Sequence, residues 1–245
     1  MRTFKLLIEY DGTQYLGWQV QPKGSTLQGV LQEKLFSLTG EKVHLMGSGR
    51  TDAGVHALGQ VAHFKTKSPL DAQTIQRALN SLLPSDIVIQ SVVEVDEGFH
   101  ARRSSKSKVY EYRILNRNLR SAFHKGYAWH IPQKLNLGEL KKATHQLIGE
   151  QDFASFQSVG SPQKTTIRKV NRAEWKRDRD GLLRFEIEAN GFLKQMVRAI
   201  VGTLVEVGKG KISSEEFQGI LDSKDRKKAG PTAPARGLFL KEVKY

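Results

Sequence analysis

The chain of 245 residues contains no cysteine, which excludes disulfides, zinc-thiolate sites and thiol nucleophiles. It has no uninterrupted apolar run of roughly 18 residues, the length a membrane-spanning helix needs. Its opening residues, MRTFKLLIEYDG, are too polar for a secretion signal, so the cytoplasm is the expected location. Neither GxxxxGKS/T nor GxGxxG is present, which argues against ATP or dinucleotide binding, and no cofactor is expected. Acidic residues are scarce: 25 Asp and Glu face 39 Lys and Arg, a formal charge of +14. Such a surplus attracts polyanions, because each neutralised phosphate releases condensed counterions. Nucleic acid is therefore the leading partner, and an unspecifically basic surface is the alternative.

What is present has an order. Residues 3–10 read as a strand closed by Asp11-Gly12, and residues 27–39 as a helix capped by Thr26. Short strands are expected at 43–46 and 60–65, a helix after Asp71 carrying Ile75, Leu79 and Leu82, and a strand at 86–95. The second half repeats the pattern: a strand at 109–115, a helix at 137–148, and a hairpin of 167–176 with 182–189 around Asp180-Gly181. An apolar helix at 192–207, a short helix capped by Ser213 and a final strand at 238–243 complete it. The expected fold is α/β (α+β): two ferredoxin-like βαββαβ halves forming a central mixed or antiparallel sheet with a basic cleft. The halves are expected at 1–104 and 105–245, with the boundary in the polar stretch 97–107, EGFHARRSSKS. That stretch fits a solvated linker, and with Arg102, Arg103, Lys106 and Lys108 it equally fits a phosphate-contacting segment. The run 224–228, KDRKK, reads as a solvated turn, with RNA contact as the lesser alternative.

The most unusual stretch is 47–59, GSGRTDAGVHALG, with four glycines around Arg50, Asp52 and His56. Glycines permit backbone angles that other residues avoid and let a ligand approach closely. A loop of this composition is costly to order, which points to a purpose beyond connection. Asp52 fits an Asx-turn or helix cap, and it fits a chemical carboxylate favoured in its charged form by a neighbouring cation. Metal binding through His44, Asp52 and His56 is the third reading, at a spacing that matches no standard ligand pattern.

The run GRTDAGVHALGQVAHF resembles the signature of the pseudouridine synthases that modify the anticodon stem and loop of tRNA. Further matches lie in register: IEYDGTQYLGWQ, FHAR, KVYEYRI, GEQDFASF, FLKQMVRAIVGTLVEVG and GLFLKEVKY. Together they span essentially the whole chain. The resemblance implies isomerisation of uridine to pseudouridine at tRNA positions 38, 39 and 40, without cofactor or metal, by a homodimer. It implies Asp52 as the catalytic carboxylate and nucleophile, with Arg198 pairing with it and Arg50 reaching toward the RNA. Tyr110 would stack on the target base. The tRNA would be contacted by Phe99, His100, Ala101, Arg102 and Arg103, and by the loop of Gly160, Ser161, Pro162, Gln163 and Lys164.

The reaction breaks the bond between uracil N1 and ribose C1′, turns the base, and rejoins it through C5. An ionised carboxylate can attack the sugar, attack the base, or remove a sugar proton, and the residues leave the three routes open. A target base in a structured arm must first leave its stack, and an aromatic face can replace the stacking it loses. Tyr110 alternates in phase with Tyr112, so both could line one cleft, and both could equally be packing residues. Arg198 lies on an otherwise apolar helix face, where it either reaches solvent or pairs with an acid. Trp18, Trp129 and Trp175 read as packing residues, and His63, His100, His124, His130 and His145 have no evident partner in the sequence.

Overall fold

The computed structural model describes residues 1–158, 160, 165–178 and 180–245. The chain divides into two compact units, one of 1–106 with 239–245 and one of 107–238.

In the first unit, β1 (Arg2–Tyr10) and α1 (Leu27–Thr39) are followed by β2 (Met46–Gly47), β3 (His56–Thr66), α2 (Ala72–Leu82) and β4 (Ile87–Val95). The strands lie in the order β4-β1-β3-β2, each neighbouring pair antiparallel. This is the βαββαβ order expected from the alternation of strand and helix patterns. Local chemistry sets the helix ends. The Thr26 hydroxyl accepts from Gly29 N and the Asp71 carboxylate from Thr74 N, each satisfying a first-turn amide. Gly40, at φ 71°, ends α1 in the left-handed conformation. Phe4, Leu6 and Ile8 of β1 are fully buried, as are Leu27, Leu31 and Leu35 of α1 and Ile75 and Leu79 of α2. Burying each such side chain contributes about 1.5–3 kcal/mol, which holds the sheet beneath the loop that precedes β3.

The second unit contains β5 (Ser107–Leu115), β6 (Trp129–His130), α3 (Leu137–His145), β7 (Gly149–Asp152), β8 (Ile167–Arg177), β9 (Leu182–Ala189), α4 (Met196–Gly208) and α5 (Ser214–Asp222). Its main strands run β5-β9-β8-β7, all antiparallel, and β6 adds to β5 in parallel. The hairpin expected around Gly181 is β8-β9. Ser213 caps α5 in a full capping box with Glu216.

The last strand, β10 (Leu238–Lys244), joins the first unit beside β3, with Phe239 opposite His56 and Leu240 opposite Ala57 in parallel. Five features differ from the sequence-based expectation, the first being that the strand expected at 43–46 is the two-residue β2 at 46–47. The short strands β6 and β7 were not foreseen, being only two and four residues long. β3 begins at His56 rather than at 60, because β10 gives its first residues a partner. α3 ends at His145, not at 148. α4 begins at Met196 rather than at 192, because Gln195 adopts φ 61°, a left-handed conformation that cannot continue a right-handed helix.

Candidate active site

The loop between β2 and β3 is held from below along its whole length. The Tyr10 hydroxyl lies 2.8 Å from Thr51 Oγ1 in the core, and burial pushes that phenol well above its ordinary range, so it stays protonated. Trp18 N donates to Thr51 O at 3.1 Å, Gly54 N to Tyr15 O at 3.4 Å, and Val55 N to Asp52 O at 3.2 Å. On the other side, Ser48 Oγ donates to Gln60 Oε1 at 2.8 Å, and Gln60 Nε2 donates to Gly49 O at 3.0 Å. A turn over 52–55 results, with Gly54 at φ 74°.

Two segments meet in this clamp, and glycines make the meeting possible. A Cβ on Gly12 would stand 2.0 Å from Val55 O. One on Gly17, itself at φ 91°, would stand 2.5 Å from Thr51 O. Gly47 lies against the Trp18 ring, where a Cβ would come within 2.7 Å. The stretch around residues 10–19 is thus the floor on which the Asp52 loop rests. Asp52 itself is half-buried and Arg50 is exposed. A half-buried carboxylate on an immobilised turn has the placement that a nucleophile or base needs.

Of the trio weighed for metal, His44 is exposed. His56 is 1% exposed, stacks on Phe239 at 4.7 Å, and directs Nδ1 to Gly12 N at 3.2 Å and Asp11 Oδ1 at 3.0 Å. Among the described residues, no three His, Asp or Glu side chains are grouped as metal ligands would be.

In the second unit, Tyr110 and Tyr112 part company. Tyr112 is wholly buried, its hydroxyl donating to Pro234 O at 2.8 Å, and burial raises its phenol far above the ordinary range. It is a core residue. Tyr110 is 7% exposed and meets Phe192 edge to face at 4.9 Å, a contact that fixes the plane of its ring.

Arg198 occupies the first turn of α4, half-buried, and is fixed by backbone rather than by its own helix. Its Nε donates to Ala233 O at 2.8 Å, and its carbonyl accepts from Ala233 N at 3.0 Å. The partner segment is seated on α4 because Gly202 leaves room: a Cβ there would lie 1.6 Å from Pro231 O. Gly230 N donates to Thr203 Oγ1 at 2.9 Å, and Arg226 bonds Gly230 O at 3.0 Å and Thr232 Oγ1 at 2.9 Å. The run 224–228, read from sequence as a solvated turn, therefore contains one structural arginine.

The segment Phe99 to Arg103 is shaped by two imidazoles for which the sequence offered no partner. His63 Nδ1 accepts from Ala101 N at 3.2 Å, and His100 Nδ1 accepts from Arg102 N and Arg103 N at 3.2 Å each. The two rings lie 4.9 Å apart. Burial and then the neighbouring His100 lower the His63 pKa, which keeps its Nδ1 free to accept. Ala101 is fully buried, and its carbonyl accepts from the Tyr245 hydroxyl at 2.8 Å. Phe99 is half-buried against Tyr245, with Lys5 Nζ 5.8 Å from its ring centre. Arg102 and Arg103 are exposed and make no ion pair among the described residues. Of the second RNA-contacting loop, Ser161, Pro162, Gln163 and Lys164 lie outside the described residues, and Gly160 is exposed at φ 78°.

Sequence reasoning singled out Asp52, Tyr110 and Arg198 as candidates and did not name the groups that hold them in place: Tyr10, Gly12, Gly17 and Gln60 for the first, Phe192 for the second, and Gly202 with Ala233 for the third. The motif IEYDGTQYLGWQ matched the resembled family without a chemical reading, and its glycines were the available signal.

A family model described as tRNA pseudouridine synthase matches residues 6–102 and 143–245. A tRNA pseudouridine synthase A of Thermoanaerobacter sp. strain X514 is 50% identical over 245 residues, covering 100% of both chains. The synthase of the same name from Acetivibrio thermocellus is 48% identical over the same full span of both. A solved H/ACA ribonucleoprotein, bound to a substrate RNA containing 2′-deoxyuridine, covers 97% of this chain and 46% of that one. Its TM-score is 0.36 at 13% identity, too weak a likeness to carry weight. With both stretches of the family model and full-length relatives at this identity, the chain belongs to the tRNA pseudouridine synthases, isomerases that act on tRNA.

Proposed function

We propose that this enzyme isomerises uridines 38, 39 and 40 in the anticodon arm of tRNA, with the Asp52 carboxylate as its nucleophile. The observation that carries the reading is the immobilised half-buried turn bearing Asp52, in a chain of this family. No atom is gained or lost in the reaction. The N1–C1′ bond breaks, a C5–C1′ bond forms, the C5 proton leaves to water, and N1 takes up a proton. The protein's task is therefore to extract the base, hold it, and place one charged oxygen beside the breaking bond.

Tyr110, its ring fixed by Phe192, is the proposed stacking platform for the base, a contact worth about 1–3 kcal/mol. Arg198, whose Nε is tied to the Ala233 carbonyl, supplies a fixed cation for a reaction in which negative charge is handled away from water. Arg50 reaches toward the RNA backbone, and Arg102 and Arg103 bind phosphate. The enzyme works in the cytoplasm as a homodimer. The net charge of +14 supports strong, salt-sensitive tRNA binding.

The test is to react the purified enzyme with unmodified tRNA transcripts and map the product by carbodiimide labelling and primer extension. Stops confined to positions 38 to 40 are expected. Pseudouridine at other positions only would overturn the assignment of the anticodon arm while leaving the isomerase intact.

A further inference from the structure

The chain between β5 and β6 forms a closed loop whose two ends are pinned together. Asn116, 8% exposed, donates through Nδ2 to Ile131 O at 2.9 Å and Gln133 O at 2.7 Å. Ile131 N donates to Leu115 O at 3.0 Å, and β6 lies parallel to β5 with Ile114 opposite Trp129. Leu115, Ala128 and Leu182 form a buried cluster beneath. Within the loop, Ser121 Oγ accepts from Phe123 N at 3.2 Å and His124 N at 3.3 Å, and the His124 carbonyl accepts from Tyr127 N and Ala128 N at 3.0 Å each. Compact surface loops with joined ends and internal bonds of this kind are frequently functional.

This ordered loop displays what a loop with no partner would hide. Phe123 is 89% exposed and Leu119 77% exposed. The same loop carries Arg117, Arg120 and Lys125, all exposed, and no Asp or Glu occurs between Glu111 and Glu139. Arg120 and Lys125 make no ion pair among the described residues. An exposed aromatic ring set among unpaired cations is the chemistry of a nucleobase platform: the ring takes the base face and the cations take the adjoining phosphates.

We propose that the loop of residues 116–128 is a second tRNA contact, in which Phe123 stacks on an unpaired base and Arg120 and Lys125 bind neighbouring phosphates. The proposal rests on tRNA being the substrate. The base is not the one being isomerised, because a ring 89% exposed has no walls to exclude water from a reacting group. A second copy of this chain is the poorer occupant. The loop itself carries no acid to offset Arg117, Arg120 and Lys125, so a second copy would have to supply acidic groups from elsewhere on its surface, whereas RNA phosphates supply the charge directly.

The experiment compares wild type with Phe123→Ala, Phe123→Tyr and the double change Arg120→Glu/Lys125→Glu. It measures affinity for full-length tRNA, single-turnover isomerisation at saturating enzyme, and sedimentation. Phe123→Ala is expected to weaken tRNA binding about 5- to 100-fold, whereas Phe123→Tyr keeps the ring and binds as wild type does. The double change should weaken binding and lower the slope of log K against log salt by about one per cation removed. The saturated single-turnover rate should be unchanged in all three. Binding by Phe123→Ala within two-fold of wild type would overturn the proposal. So would a loss of affinity accompanied by dissociation of an oligomer, since the occupant would then be a second copy. Failure of wild type itself to form pseudouridine would defeat the functional reading separately, because binding and product are read independently.

Discussion

The loop carrying Asp52 is clamped along its length, whereas the loop carrying Phe123 is clamped at its ends and opens its middle to water. In the first, buried groups from outside the loop reach into it: Tyr10 to Thr51, Trp18 to Thr51, Gln60 to Gly49. In the second, Ser121 to Phe123 and His124 to Tyr127 are bonds between near neighbours, and Arg236 reaches the loop at its end, at Ala128 O. The difference matches the roles proposed for the two loops. A carboxylate that attacks a single carbon tolerates little positional error, and an error of about 1 Å can cost 10²-fold in rate. A stacking platform tolerates a base in many orientations, because every base offers a π face. On the proposed roles, rigidity falls where chemistry needs position, and exposure where affinity needs reach.

The strongest way to break this comparison is at Gly17. Ala there would need a left-handed backbone angle and a Cβ 2.5 Å from Thr51 O. Gly17→Ala is expected to destabilise the protein by about 1–3 kcal/mol and to lower the saturated rate by about 10²-fold as the Asp52 turn shifts. Steady-state kinetics and thermal melting check both, and a variant with wild-type rate would show that the clamp does not position Asp52. Phe123→Ala sharpens the contrast from the opposite side. An 89% exposed ring buries little on folding, so its stability should stay within about 0.5 kcal/mol of wild type while tRNA affinity falls.

The smallest expected effect concerns pH and the Phe99–Arg103 segment. The His63 pKa is lowered from 6.5 by burial and by His100, with Lys65 and His44 adding to the lowering and a hydrogen bond to the Met46 backbone opposing it. A lowered histidine pKa means the folded state resists protonation. The contribution of the His63–Ala101 bond is therefore fully present above pH 6.5 and is lost as pH falls through the folded value. Hydrogen-exchange protection at the Ala101 amide, corrected for intrinsic rate, should drop several-fold between about pH 7.5 and 5.5. Constant protection across that range would remove the imidazoles from their holding role.

Much of this was legible in the sequence because it is local. Helix starts at Thr26, Asp71 and Ser213 were readable because caps act within three residues. The Asp52 loop announced itself through its glycines. Hidden were the contacts between distant segments: Tyr10 with Thr51, Gly202 with Pro231, and β10 beside β3. Periodicity reports which face of an element is apolar, not which remote element covers it. The start of α4 was misplaced for the opposite reason. Phe192 and Leu193 extend the apolar pattern of residues 196–207 toward the N-terminus, and only the backbone angle of Gln195 marks the break.

The central claim is that the Asp52 carboxylate carries uridine isomerisation. Its most direct test is release of tritium from tRNA labelled at uridine C5, comparing wild type with Asp52→Asn without added metal or cofactor. Wild type should release tritium, and Asp52→Asn should fall by at least about 10³-fold while still binding tRNA, because the change is nearly isosteric. Tritium release by Asp52→Asn at the wild-type rate would contradict the claim.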